Sequence, residues 1–187
     1  YAVKRFEEVW HERPPYSQAY HTARLLSHLA KARTAEHAVY CTQLGMELFG
    51  ALGFMEDYAI ARLHREALVT PIWEGTSNIQ ALELLEVIRK KSAHELLAQA
   101  ILPMFDAART PSSSLAKQAF AEALQGLCAE HESTVWQAKA HMRKLADACI
   151  VGILYHLGSQ SNRYTKMAEA YAQHFLQHEE YSADQVR

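Results

Sequence analysis

The sequence predicts an all-α protein: an up-down helical bundle followed by an additional helical region. Three observations lead there. Only seven glycines and five prolines occur in 187 residues, and both types disfavour helix interiors. Alanine and leucine, with Glu, Gln and Lys, supply much of the rest. No convincing polar–apolar alternation and no Asn-Gly or Asp-Gly pair marks a strand or a hairpin.

The breaker residues set the elements. Tyr1–Glu12 reads as the end of a helix that stops before Pro14-Pro15, because a residue preceding proline avoids the helical region. Ser17–Leu52 carries a long helical pattern through Ala23, Leu26, Ala30, Ala38, Cys41, Leu44 and Leu48, ended by Gly50 and Gly53. Glu56–Leu68 reads as a shorter helix and Thr70–Thr76 as a turn. Ser77–Ala100 reads as one amphipathic helix with Ile79, Leu82, Leu85, Ile88 and Leu96 on one side. Ser77 and Gln80 have the spacing of a capping box. Thr110-Pro111-Ser112-Ser113-Ser114 reads as a linker. Leu115–Leu157 and Asn162–Glu180 are further helical stretches, separated by Gly158-Ser159-Gln160-Ser161.

Bulk numbers narrow the function. Hydrophobic residues make up 49%, charged residues 21%, and the net charge is −2. Residues 1–100 hold 11 Lys+Arg against 12 Asp+Glu, and the rest hold 8 against 9. Neither part has the excess of cations that nucleic-acid backbones demand. Cys41, Cys128 and Cys149 are scattered, odd in number and form no CxxC. They read as reduced, mostly buried thiols of a cytoplasmic protein. The best apolar window, Leu145–Leu157, is interrupted by Asp147 and His156 and is too short for a bilayer. The chain opens at Tyr1, without methionine and already in a helical pattern, which reads as missing upstream sequence.

Few motifs invite chemistry. Gly45–Phe54, GMELFGALGF, has neither GxGxxG nor GK followed by Ser or Thr, and reads as a helix C-terminus. His94-Glu95 does not continue to HExxH, because position 98 is Ala. His174 and His178 lie one turn apart before Glu179-Glu180; no partner ligand set is evident, and no metal is expected. Arg89-Lys90-Lys91 reads as a helix-dipole complement or a solvated face, with a phosphate or nucleic-acid contact as the alternative. Tyr155, Tyr164, Tyr171, Tyr181 and Trp136 read as core or interface.

Glu74, in PIWEGTSNIQ, differs in kind. It lies just before a helix start whose free N–H groups suit an anion. Ile72 and Trp73 are apolar neighbours that would disfavour an ionised acid. Gly75 leaves room for a close approach to the backbone. Two roles are open on these grounds, a helix-capping acid and a general base beside an anion site.

The ordered blocks ELFGALGF, DYAIARLHREA and IWEGTSNIQ, within Glu47–Ile88, resemble the C-terminal helical domain of the acyl-CoA dehydrogenases. Weaker similarity reaches back to about Tyr20, where HLAKA is similar to the family's Ser-x-Ala-Lys-Ala. The resemblance implies that residues 1–100 are part of that domain and residues 101–187 an extra C-terminal helical region. It implies that Glu74 removes the pro-R α-proton of an acyl-CoA thioester while FAD accepts the β-hydride at N5. It implies flavin- or substrate-lining roles for Trp73, Gly75, Thr76 and Asn78, and contacts of Glu47, Ala51 and Leu52 with the FAD of a neighbouring subunit. Arg65 matches a structural arginine. Departures are Glu47 for the family glutamine, Ala51 for a second glycine, Glu66 for an aspartate, and Asn78 for the commoner glutamine.

The resemblance further implies a homodimer or homotetramer, electron-transferring flavoprotein as acceptor, and a chain that alone has little or no dehydrogenase activity. Two other readings share these residues. One is a non-catalytic relative of the alkylation-response branch whose last helical domain binds nucleic acid. The other is an assembly module.

Overall fold

The computed structural model describes residues 1–177. These contain nine helices and no strand: α1 (Ala2–Val9), α2 (Gln18–Phe49), α3 (Ala51–Phe54), α4 (Ala59–Val69), α5 (Ser77–Lys91), α6 (His94–Asp106), α7 (Pro111–Cys128), α8 (Ser133–Gly158) and α9 (Asn162–Phe175). The all-α expectation holds. No helix among the described residues is long and apolar enough to cross a membrane.

The spine is α2, 32 residues and about 48 Å long at 1.5 Å per residue. Its start is fixed by Ser17, whose Oγ accepts from the Tyr20 N–H at 3.1 Å and donates to Glu12 at 2.7 Å. Its end is fixed by Gly50 at φ 60°, a conformation that costs glycine little. Three helices run antiparallel to α2. Residue pairs 28 with 80 and 36 with 77 align α5; 42 with 64 and 35 with 70 align α4; 33 with 147 and 36 with 143 align α8.

Around this spine lies one continuous buried cluster, from Leu25 on α2 through Leu84, Phe105, Phe120 and Met142 to Ala172 on α9. Burying each large side chain contributes about 2 kcal/mol. The cluster passes through α6 without interruption, and residue 100 lies inside that helix.

Several elements differ from their sequence reading. The stretch Ser77–Ala100 is two helices, because Ser92 is left-handed at φ 48°. No glycine or proline marks the break. Side chains of α2 satisfy the carbonyls it frees: Gln18 Nε2 donates to Lys91 O at 2.7 Å and Thr22 Oγ1 to Ala93 O at 3.1 Å. On α5, Ala81, Leu84, Leu85 and Ile88 are buried, whereas Ile79 and Leu82 face outward. The capping box is not made. Thr76 is the N-cap and gives no side-chain cap, and the Ser77 hydroxyl turns instead to Glu36, 3.2 Å away.

Thr110–Ser114 is not a linker but the first turn of α7. Thr110 Oγ1 accepts from Ser113 N at 3.2 Å, and Pro111 fills the first helical position, where a missing N–H costs nothing. The Ser113 hydroxyl donates to Phe105 O. Leu115–Leu157 is interrupted between α7 and α8, where Ala129 O accepts from Arg89 Nη2 at 3.2 Å and Thr134 Oγ1 at 3.0 Å. Only Cys149 is buried; Cys41 and Cys128 are exposed. Burial, with Asp147 nearby, pushes the Cys149 thiol up to about 12.

The left-handed Ser92 carries a steric cost of about 1 kcal/mol. Ser92→Gly is expected to stabilise the chain by up to that amount, about 1 kcal/mol, read as a rise in the urea midpoint with an unchanged slope.

Candidate active site

The turn between α4 and α5 is built on Val69, whose carbonyl accepts from Ile72 N at 3.0 Å and Trp73 N at 3.1 Å. The next two residues have positive φ, Glu74 at 54° and Gly75 at 92°. Glycine is favoured at 75 on two counts. The conformation excludes most side chains, and a Cβ would stand 2.9 Å from Gln80 Nε2. For Glu74 the left-handed conformation costs about 1 kcal/mol. Two hydrogen bonds offset it. Gln80 Nε2 donates to Glu74 O at 3.0 Å, and Lys31 Nζ donates to Gly75 O at 2.6 Å. The lysine bond alone is of a class that contributes about 1.5–3 kcal/mol, so the bonds outweigh the strain.

Gln80 is itself fixed. It is buried, and its Oε1 lies 2.9 Å from His28 Nδ1. Since Gln80 Nε2 is the donor to Glu74 O, its Oε1 must accept, and His28 carries its proton on Nδ1. His28 Nε2 faces Glu83 Oε2 at 3.5 Å, too far for a well-formed hydrogen bond.

The carboxylate of Glu74 is not enclosed by the described residues. Glu74 is exposed, Ile72 is 63% and Trp73 58% exposed. The expected apolar surround is therefore missing here: the turn lies on the rim, and nothing among the described residues packs over it.

Beside the turn is a cleft of about 340 Å³ lined by Glu36, Val39, Pro71, Thr76, Ser77, Asn78, Lys139 and Arg143. The N–H groups of the first turn of α5 have no side-chain cap. Lys139 makes no ion pair among the described residues, and Arg143 grips Glu36 through Nε at 2.9 Å and Nη2 at 2.6 Å. Helix-start amides and Lys139 suit an anionic group, while the Arg143 charge is engaged by Glu36. A larger hollow, about 620 Å³ between α6 and α7, contains no residue expected from the sequence.

The expected site residues thus fall in two groups. Trp73, Glu74, Gly75, Thr76 and Asn78 are contiguous, and of these Thr76 and Asn78 line the cleft. Glu47, Ala51 and Leu52 are exposed at the far end of α2 and on α3. From Glu36 to Glu47 the helix advances about 16 Å, so within one chain the second group stands apart from the cleft. Arg65 forms a surface pair with Glu56 at 2.8 Å. No group of three or more metal-ligating side chains occurs among the described residues. His178 and Tyr181 lie outside the described residues, and His174 Nε2 lies 2.9 Å from the Tyr40 hydroxyl.

Sequence reading missed the residues that hold this region. Lys31 and His28 are about 45–50 positions from the turn, and their only signal was the HLAKA block. It missed a charged network as well. Arg33 Nε donates to Asp147 at 2.6 Å, the Tyr171 hydroxyl donates to the same oxygen at 2.6 Å, and His37 Nε2 lies 3.1 Å from Tyr171. The tyrosine proton is engaged with Asp147, so His37 donates through Nε2. The Arg33 guanidinium lies 5.1 Å from the Phe175 ring centre. Burial opposes the charge on Glu36, but Arg143 and Arg33 hold it below the usual carboxylate range. Burial raises Asp147, and Arg33 and Tyr171 only partly counter it. Burial, then Asp147, raises Tyr171.

Known proteins match part of this chain. Residues 14–89 match the family described as acyl-CoA dehydrogenase, C-terminal domain. This segment resembles that domain. The chain is 43% identical over 68 residues to acyl-CoA dehydrogenase family member 11 of Caenorhabditis elegans, covering 36% of the chain and 11% of the relative. It is 32% identical over 99 residues to the putative acyl-CoA dehydrogenase AidB of Escherichia coli, covering 52% and 18%. It is 39% identical over 69 residues to 3-methylmercaptopropionyl-CoA dehydrogenase of Ruegeria pomeroyi, covering 37% and 12%. A solved structure titled Bd2924 apo-form superposes with a TM-score of 0.58 and 25% identity, over 90% of this chain and 28% of that one. The matched regions are thus a small part of each relative's length. The structural match extends beyond the family segment into α6–α9.

Burial, and then the Arg33 guanidinium, lower His37 from 6.5 to about 4. The unfolded chain therefore binds this proton at higher pH than the folded chain. Stability from His37 is full above about 6.5 and is lost as pH falls toward about 4. Urea midpoints of the wild type and His37→Phe, measured between about pH 7 and pH 4.5, are expected to converge as pH falls. A constant gap would contradict this.

Proposed function

We propose that the protein containing this chain is a flavin-dependent acyl-CoA dehydrogenase with Glu74 as its base. The observation that carries the reading is the presentation of Glu74 on a left-handed turn, directly before the uncapped start of α5, in a segment that resembles the acyl-CoA dehydrogenase C-terminal domain. In this reading the Glu74 carboxylate takes the α-proton of an acyl-CoA thioester. The β-hydrogen leaves as hydride and a carbon–carbon double bond forms. FAD, when bound, supplies the hydride acceptor.

Thr76 and Asn78, with the first-turn amides of α5, are assigned to the anionic half of FAD, and Trp73 and Gly75 to the flavin or substrate side. The cleft suits an anionic group such as a phosphate. Glu47, Ala51 and Leu52 are assigned to the FAD of a second subunit, which agrees with their distance from the cleft. A homodimer or homotetramer is part of the proposal. Exposed apolar side chains on α2 to α4, Leu48 at 87% and Phe54 at 81% among them, favour burial of that surface in an assembly. Electron-transferring flavoprotein as acceptor and a cytoplasmic location belong to the same proposal.

The open setting of Glu74 favours a second reading, a non-catalytic relative in which the turn only holds flavin. Nucleic-acid binding by such a relative gains no support from the near-neutral charge of residues 101–187.

The decisive test uses the longest natural polypeptide containing this chain, as wild type and as Glu74→Gln. Anaerobic addition of a panel of acyl-CoAs is expected to bleach the flavin in the wild type and about 10²–10⁴-fold more slowly in the variant. Bound flavin that no acyl-CoA reduces in either protein would favour the non-catalytic reading. The 187-residue chain alone is expected to purify without flavin absorbance, and a stoichiometric yellow preparation would contradict that.

A further inference from the structure

We propose that Lys31 and Gln80 are positioning residues for Glu74, acting through the backbone of the turn, with His28 locking Gln80. The role in catalysis rests on the reading of Glu74 as base; the effect on the turn does not.

The carboxylate of Glu74 makes no hydrogen bond or ion pair among the described residues, so none of their side chains aims it through such a contact. What directs it is the backbone at 74 and 75. Both residues have positive φ, and only Gly75 adopts that region readily. Without an external constraint Glu74 would relax to negative φ and its side chain would swing away. Two successive carbonyls supply the constraint. Glu74 O accepts from Gln80 Nε2 at 3.0 Å, and Gly75 O accepts from Lys31 Nζ at 2.6 Å.

The donors come from two helices, Gln80 from α5 and Lys31 from α2. The turn is thereby tied both to the helix that follows it and to the neighbour against which that helix packs. His28, also on α2, orients the Gln80 amide through Nδ1 at 2.9 Å. A rotation of Gln80 that brought its oxygen toward Glu74 O would oppose two acceptors and lose that bond. The clamp therefore has one arrangement of donors, set by the spacing of His28 and Lys31 on one face of α2.

Two measurements test this. In the 187-residue chain, amide exchange is followed at Trp73 and Gln80, whose N–H groups donate to Val69 and Thr76 on either side of the turn. Lys31→Met and Gln80→Met are each expected to speed exchange there about tenfold, the loss of one hydrogen bond. Lys31→Arg is expected to restore protection, and amides of α7 and α8 should stay unchanged in every variant. Unchanged exchange at Trp73 and Gln80 would overturn the clamp.

In the longest natural polypeptide, Lys31→Met is expected to slow flavin reduction by acyl-CoA about tenfold or more without weakening acyl-CoA binding, and Lys31→Arg to recover the rate. A rate insensitive to Lys31→Met, in a protein that Glu74→Gln inactivates, would overturn the positioning role. Full activity in Glu74→Gln would instead remove Glu74 as base, and the exchange data alone would decide the clamp.

Discussion

A half-buried carboxylate midway along a helix must find its counter-charges close by, and Glu36 on α2 imposes that demand on its surroundings. Its oxygens accept from Arg143 on α8, from Arg33 one turn back, and from Ser77 at the start of α5. The three donors come from three helices, so satisfying one charge fixes α2, α5 and α8 relative to each other. Replacing such a group by an apolar one is often tolerated, whereas removing only its partners is costly. The pairing thus sets geometry more than it adds stability. Asp147 repeats the device one turn along α8, with Arg33 and Tyr171 as donors.

The turn before α5 inherits its position from this frame. It has little apolar burial of its own, and its conformation is strained at Glu74. Its order comes from polar contacts to α2, made by residues on the same helix that carries Glu36. A rim site held in this way can present a carboxylate accurately while leaving its other side open. Walls that would dry such a site must come from outside the described residues.

The fold class was legible because glycine and proline are scarce and the apolar spacing is helical over long stretches. The sequence also singled out the Glu74 turn, because an acid between tryptophan and glycine before a helix start is locally unusual. What it hid was decided by contacts distant along the chain. The break at Ser92 has no local signal and is stabilised by Gln18 and Thr22, more than 70 positions earlier. The Thr110–Ser114 run has a linker's composition, yet Ser112 and Ser113 are buried because Phe105 O and Tyr155 lie against that turn. Ile79 and Leu82 satisfied the helical period but were assigned to the wrong face, since Gln80, a polar residue, occupies the buried side to reach His28.

The buried cluster crosses the end of the family segment without a seam. Leu84, Leu85 and Ile88 share one buried cluster with side chains of α6, α7 and α8, and two of the charged partners, Asp147 for Arg33 and Arg143 for Glu36, lie beyond position 140. The edge of recognisable ancestry is therefore not an edge of cohesion. Cutting after residue 89 would leave half a core facing water and a carboxylate stripped of its firmest grip. The later helices serve as a wall for the family segment, so loosening either part would expose the other.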